Sequence, residues 1–168
     1  MNTPQVALYA GSFDPITLGH EDIARRGAQL VEKLVIGIGV NPDKQPLFTE
    51  QERIDIMREV FADVPNIEVE SFSGLTVDFA RSCHARVMLR GVRTVSDIES
   101  EFTMALANRT IAPDLETVFL MASEDYSHIS STLIKQIAMM SQEPSEEQLR
   151  KFVPEPVVHR LLEKVARS

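Results

Sequence analysis

The stretch that decides the fold is Val6-Ala7-Leu8-Tyr9-Ala10, followed at once by Gly11-Ser12-Phe13-Asp14-Pro15-Ile16-Thr17-Leu18-Gly19-His20. Val6–Tyr9 is short and almost continuously apolar, as a strand buried on both faces must be. Gly11 then permits a tight turn and close backbone approach, and Asp14-Pro15 initiates another. Thr17 and His20 are three residues apart, so a helix beginning here places them on one face. Gly19 between them removes side-chain bulk and lets a flat or charged ligand lie against the backbone. The start of that helix adds unpaired N–H groups and a field that favours phosphate. A lone Gly-His pair would read as a capped helix with a surface histidine; the full ten-residue string behind a strand is far more specific.

Working outward, four more β-branched apolar runs recur at Leu34–Val40, Asn66–Phe72, Arg86–Val92 and Glu116–Ala122. Segments of helical character separate them. Thr49-Glu50-Gln51-Glu52 reads as a capping box, with Ile54, Met57 and Phe61 on one helical face behind it. Ser96-Asp97-Ile98-Glu99 reads as a second, followed by Phe102, Ala105 and Leu106, and Ser145-Glu146-Glu147-Gln148 as a third. After Pro156, Val157, Leu161 and Val165 recur at four-residue steps. Strands alternating with helices predict an α/β fold: an open parallel five-stranded sheet, helices on both faces, and a small C-terminal helical tail. Nothing in the sequence divides the chain, so residues 1–168 are expected to form one domain.

Composition bounds the function. The 168 residues are 43% hydrophobic and 25% charged, an ordinary globular balance. Seventeen Lys and Arg against 25 Asp and Glu leave a net charge of −8, which disfavours nucleic acid or an anionic membrane as partner. An anion site must therefore be a local device. The single cysteine, Cys83, makes neither an internal disulfide nor a multi-thiolate metal site and suits a reducing compartment. Met1–Ala10 lacks a basic region followed by a long apolar core, and no apolar run approaches the roughly 20 residues that span a bilayer. A cytoplasmic protein is expected.

Ligands of open α/β sheets sit beyond the carboxyl ends of the strands, so the loops there carry the functional reading. After the second run, Asn41-Pro42-Asp43-Lys44-Gln45-Pro46 puts Lys44 on a proline-bounded loop, where by itself a lysine is usually only solvated. At the end of the fourth run, Arg90-Gly91-Val92-Arg93 offers two guanidinium forks suited to phosphate, or to ordinary salt bridges. Beyond the fifth, Ile129-Ser130-Ser131-Thr132 precedes a helix read from Leu133 onward; its hydroxyls can cap that helix or hold phosphate oxygens. An imidazole, a lysine, two arginines and three hydroxyls at one end of one sheet predict a polyanion site.

These motifs carry a resemblance. Thr17-Leu18-Gly19-His20 is similar to the (T/H)xGH signature of the nucleotidyltransferase superfamily, and Ile129-Ser130-Ser131-Thr132 to its ISSxx signature. Within it the chain resembles the bacterial phosphopantetheine adenylyltransferases over about residues 5–165. Lys44 with Pro46 and Phe48-Thr49, the Arg90–Arg93 string and Val118-Phe119-Leu120-Met121 all fall in register.

The resemblance implies a Rossmann-like fold and a reversible transfer of AMP from ATP to 4′-phosphopantetheine. Dephospho-coenzyme A and pyrophosphate are the products, in the penultimate step of coenzyme A biosynthesis. It further implies Mg²⁺, a homohexamer built as a dimer of trimers, and coenzyme A as feedback inhibitor. Attack on the α-phosphorus is direct and in line, so the protein aligns groups and neutralises charge. The implied catalytic residues are His20, Lys44, Ser12 and Arg90. His20 would contact the α-phosphate, Ser12 and Lys44 would position the acceptor phosphate, and Arg90 would bind the same anionic region. The implied ATP contacts are Ser12, Phe13, His20, Gly91, Arg93, Glu101, Tyr126, Ser127, His128, Ile129, Ser130, Ser131 and Thr132. Arg93 and the last three hydroxyls would take the β- and γ-phosphates, Glu101 the ribose and adenine region, and the Tyr126–Ile129 backbone the adenine edge. Leu75, Thr76 and Asn108 would line the pantetheine arm. Ser12 stands where many members carry threonine, Tyr126 where tryptophan is frequent, and Thr132 ends a motif usually written with three serines.

Other distinctive residues read as structural. Cys83, in the helical stretch Val77–His84, is expected to be packed; His84, His128 and His159 lack ligand spacing; and no protein metal ligands are assigned, Mg²⁺ being held by ATP oxygens and water. Two rivals share the motifs: a nucleotidyltransferase acting on nicotinamide mononucleotide or a phosphorylated alcohol, and a non-catalytic nucleotide-binding module. The Lys44 loop and the Arg90–Arg93 string favour the pantetheine branch over the first, and pyrophosphate release separates an enzyme from the second.

Overall fold

The computed structural model describes residues 6–140 and 144–166; Met1–Gln5 and the other edges of the expected 1–168 domain lie outside the described residues. The five apolar runs form five strands: β1 (Val6–Gly11), β2 (Lys33–Gly39), β3 (Ile67–Phe72), β4 (Val87–Val92) and β5 (Glu116–Met121). All pair in parallel, in the order β3-β2-β1-β4-β5. The helices are α1 (Leu18–Ala28), α2 (Glu50–Val60), α3 (Thr76–Ser82), α4 (Val95–Ile111), α5 (Ser131–Met140), α6 (Glu146–Leu149) and α7 (Glu155–Ala166).

The central strands β1 and β2 are almost continuously apolar because both of their faces are covered, whereas the edge strands β3 and β5 carry polar and exposed residues. Ala7 and Tyr9 of β1 join Leu34, Ile36 and Ile38 of β2 in one core, which α1, α2, α5 and α7 close with Ile23, Ile56, Ile134 and Leu161. Leu8, Ala10 and Val35 point the other way, against Val77 and Ala80 of α3. The period-two alternation along β1 and β2 thus serves two cores, as expected for a sheet with helices on both faces. α1 lies so close to the sheet that a Cβ on Gly27 would stand 2.3 Å from Leu89 Cδ2. Any larger residue there would have to push the buried Leu89 side chain aside.

From β1 the chain steps outward through β2 to β3, then crosses back to place β4 on the other side of β1. The carboxyl ends of β1 and β4 therefore lie side by side where the strand order reverses, and the crevice between them is the natural ligand position.

Two expectations need correction. α4 is capped by Thr94, not by a box starting at Ser96: Thr94 is extended (φ −131°, ψ 165°) and its hydroxyl accepts from Asp97 N at 3.2 Å. Ser96 already lies inside the helix, where a capping conformation is impossible. The apolar spacing behind it also fails to mark a buried face. No residue of α4 is buried, and Ile98, Phe102 and Leu106 are about half exposed. Periodicity identifies side chains that favour apolar company without saying which chain supplies it.

Candidate active site

A cavity of about 340 Å³ opens at the paired ends of β1 and β4. Ser12, Phe13, His20, Arg90, Gly91, Arg93 and Glu101 line it, together with Ile129, Ser130, Ser131 and Thr132. Tyr9, Thr17, Gly19 and Asp97 complete much of its wall.

His20 is held by the start of its own helix. Thr17 is the N-cap of α1, and its hydroxyl accepts from His20 N at 3.3 Å. The imidazole folds back so that Thr17 N–H donates to Nδ1 at 3.2 Å, with Thr17 Oγ1 3.1 Å from the same nitrogen. This is a capping box in which histidine takes the place of the usual glutamate or glutamine. A ring nitrogen that accepts from a backbone N–H carries no proton, so the proton resides on Nε2. Burial, reinforced by the charges of Arg93 and Arg90, lowers the imidazole pKa to about 4. At neutral pH His20 is an uncharged, oriented Nε2–H donor. Phe13, in the left-handed region at φ 46°, packs its ring edgewise on His20 at 5.1 Å and on Tyr9 at 5.3 Å. A non-glycine residue in that conformation at a ligand cavity is backbone strain retained where geometry matters.

Gly19 is bare toward the cavity. An added Cβ would meet Tyr126 Cβ at 3.5 Å and Thr17 Oγ1 at 3.6 Å, ordinary contacts, so packing within the chain does not demand glycine. The position is kept open rather than filled.

The cations are less exposed than the sequence suggests. Arg90 lies within β4 and grips Glu101 through Nε and Nη2 at 2.7 and 2.6 Å, while Nη1 donates to Ala10 O at 2.6 Å. The hydrogen bonds it donates to Glu101 raise the guanidinium pKa further, against the opposing effect of burial. Arg93 donates through Nε to Asp97 at 3.1 Å and through Nη1 to Ile129 O. The salt-bridge reading of the arginines holds, since each has a carboxylate beside it, and both also line the cavity.

The hydroxyl cluster starts α5, two residues before the position read from sequence. Ser130 Oγ accepts from Leu133 N at 3.1 Å, Ser131 Oγ donates to Pro15 O at 2.8 Å, and Thr132 is exposed on the cavity rim. A second cavity of about 350 Å³ contains Leu75, Thr76 and Asn108 and shares Arg90 and Glu101 with the first. That ion pair is the common wall. A shallower recess joins Ser12, Pro42, Thr76 and Arg90.

Not every expected residue is gathered. Lys44 is exposed in the turn beyond Pro42, its N–H bonded to Asn41 O at 3.2 Å, and lines none of these three cavities. Ser127 donates to Glu124 O at 3.0 Å, and His128 sets its ring edgewise to Phe152 at 6.3 Å; neither borders the nucleotide-sized cavity. Tyr126 stands behind Gly19 instead of lining that cavity. Cys83 is half-buried against the second core, which pushes its thiol pKa up, as expected for a packed cysteine. Among the described residues, no three His, Cys, Asp or Glu side chains converge to hold a metal.

Sequence reasoning missed the residues beneath the site. Asp14 and Arg53 are buried and hold its loops, and Lys135 pairs with Asp14. The Thr17–His20 box was detectable, because its spacing is that of the boxes at Thr49 and Ser145 with an imidazole in the fourth position. No local signal marks Asp14 or Arg53, whose partners lie far away along the chain.

Comparisons with known proteins agree with this geometry. A cytidylyltransferase-like family model matches residues 8–137. A phosphopantetheine adenylyltransferase of Rhodopirellula baltica is 50% identical over 161 residues, covering 96% of this chain and 89% of that one. One from Caldanaerobacter subterraneus is 48% identical, covering 98% and 99%. Among solved structures, the chain is similar in fold to a Plasmodium falciparum nicotinic acid mononucleotide adenylyltransferase complexed with NaAD. There the TM-score is 0.68 at 14% identity, covering 98% of this chain and 95% of that one.

Proposed function

The chain belongs to the cytidylyltransferase-like family, and we propose from that premise that it transfers the AMP unit of ATP to 4′-phosphopantetheine, yielding dephospho-coenzyme A and pyrophosphate. The observation that carries this reading is the 48–50% identity to phosphopantetheine adenylyltransferases over nearly the whole chain.

In this reading the larger groups divide between the two cavities: nucleotide in the one bounded by His20 and the α5 N-terminus, pantetheine arm in the one bounded by Leu75, Thr76 and Asn108. The two phosphates meet at the wall they share, beside Arg90. The acceptor phosphate attacks the α-phosphorus in line, and no covalent enzyme intermediate is needed. Nε2–H of His20 donates to a non-bridging α-phosphate oxygen; its bond strengthens as charge builds there, which lowers the barrier rather than tightening ground-state binding. Arg93 retains Nη2 for the leaving pyrophosphate, and the α5 N-terminus adds N–H groups and a favourable field. Glu101 holds Arg90 in place and keeps spare lone pairs for ribose hydroxyls. Lys44 reaches the acceptor phosphate from its exposed loop. Ser12, which borders both the first cavity and the recess at Pro42, adds a hydroxyl for the same phosphate.

The two carboxylates on the cavity wall, Asp97 and Glu101, are each paired with an arginine, so Mg²⁺ would be held mainly by phosphate oxygens and the water it keeps. When bound it offsets charge on the phosphate oxygens. Coenzyme A, which has both a nucleotide and a pantetheine arm, spans both cavities and inhibits by occupying them. The homohexamer is supported by the uncovered apolar side of α4 and by the partly exposed Val118 and Phe119 on the edge strand β5. We take residues 1–168 as one domain, since α7 packs on α2 and α5, and place it in the cytoplasm, where a single cysteine suits the reducing conditions. No helix among the described residues is long and apolar enough to cross a membrane.

Turnover with ATP and each acceptor tests the reaction. Pyrophosphate should appear with 4′-phosphopantetheine and not with nicotinamide mononucleotide. Turnover of nicotinamide mononucleotide alone contradicts the acceptor assignment, and ATP binding without pyrophosphate from either acceptor contradicts the enzyme.

A further inference from the structure

Only three polar side chains among the described residues are buried in the core sense: Asp14, Thr17 and Arg53. All three lie under the same site. Thr17 orients His20, as described above; the other two have no part in the reaction so far. Asp14, 5% exposed, accepts from Leu47 N and Phe48 N, both at 2.8 Å, and from Lys135 Nζ at 3.2 Å. Arg53 donates from α2 to Ser12 O at 2.8 Å and to Gly39 O at 3.3 Å. The segment between β2 and α2 is thus fastened at both ends to the loop after β1. Arg53 ties its beginning at Gly39, and Asp14 ties its end at Leu47 and Phe48. Lys44 is carried on the span between these two ties.

Lys135 extends the arrangement into the nucleotide site. It lies one turn after Ser131, whose hydroxyl bonds Pro15 O, so α5 is joined to the Asp14 loop by two contacts. A buried carboxylate is an expensive way to hold a loop, because well-packed apolar groups could do the same at lower desolvation cost. Its distinctive property is direction: its oxygens fix two backbone N–H groups and one ammonium at set angles.

We propose that the Asp14–Lys135 pair is a positioning device that sets the Lys44 loop against the α5 end of the nucleotide cavity, and thereby aligns the acceptor phosphate with the α-phosphorus. The proposal rests on the reading of Lys44 as an acceptor-phosphate group.

Lys135→Met keeps most of the unbranched side chain and removes its charge at a partly exposed position, so the fold is expected to survive, with thermal unfolding as the check. In steady state, kcat/KM for 4′-phosphopantetheine should fall about 10- to 100-fold, the scale of an ångström-sized misplacement. The Kd for ATP should change by less than about threefold, and Lys135→Arg should restore most of the loss. In a Lys44→Ala background the same Lys135→Met change should cost less than about twofold, because the pair acts through Lys44. An undiminished loss in that background, or a parallel loss of ATP affinity, overturns the proposal. If Lys44→Ala impairs use of the acceptor while Lys135→Met does not, the pair is wrong and Lys44 stands. If Lys44→Ala leaves acceptor kinetics intact, the Lys44 assignment falls and the pair with it.

Discussion

His20 is the residue where local folding and chemistry are the same event. The contact that caps α1 also removes the proton from Nδ1 and leaves Nε2–H as the donor. His20→Ala should lower kcat about 100- to 1000-fold, as loss of one preorganised donor does, with ATP affinity changed by less than about threefold. Equal losses in binding and kcat/KM would assign His20 to ground-state binding instead. The lowered pKa gives a second outcome. Between about 4 and the ordinary value of 6.5, the unfolded chain binds a proton at this ring that the folded chain refuses. The stability from keeping His20 neutral is therefore complete above about pH 6.5 and declines as pH falls toward 4. NMR of the free protein should show a His20 ring that does not titrate between pH 5 and 8. Urea midpoints should drop less between pH 7 and 5 in His20→Asn than in the parent; an imidazole titrating near 6.5 contradicts both.

At the scale of the element, the helix starts carry the site. α1 presents His20 through the Thr17 cap, and α5 presents Ser130, Ser131 and Thr132 at its opening turn. Thr17→Val should cost about 1 kcal/mol of stability through the lost cap. It should also lower kcat by more than that loss accounts for, because the imidazole loses the hydroxyl beside Nδ1 and is held by the backbone N–H alone; Thr17→Ser should restore both. A kcat that follows only the folded fraction would mean that Thr17 is a cap and nothing more. These elements differ in how plainly the sequence announces them. Buried strands such as β1 and β2 were legible because two covered faces leave an unbroken apolar run. The cap of α4 was misplaced by two residues because Ser96 offers the same side-chain chemistry as Thr94, and only backbone conformation separates them. His20, Arg90, Arg93 and the 130–132 hydroxyls that line the first cavity were readable from motifs at strand ends, whereas Glu101 came only with the resemblance. Asp14, Arg53 and Lys135 were not, since a residue's burial and a partner more than 30 positions away leave no local pattern.

For the whole molecule, the doubly covered sheet accounts for stability and the strand-order reversal for the position of the site. What the single chain leaves unfinished is the side of the sheet bearing α4 and β5. Phe102 is 54% exposed and Met121 69%, an apolar surface at odds with a chain of net charge −8 that otherwise keeps its core closed. Sedimentation should find a hexamer in the parent chain and smaller species after Phe102→Asp, with secondary structure unchanged. A parent chain that stays monomeric contradicts the assembly. The proposed reaction requires a single ligand to lie across two cavities and touch the Arg90–Glu101 wall between them. A crystal structure with dephospho-coenzyme A measures that directly. It should place the adenosine and its phosphate beside Gly19 and His20, with Nε2 within hydrogen-bonding distance of a phosphate oxygen, and the pantetheine arm against Leu75, Thr76 and Asn108. A product molecule bound elsewhere, or one whose arm leaves that second cavity empty, would contradict it.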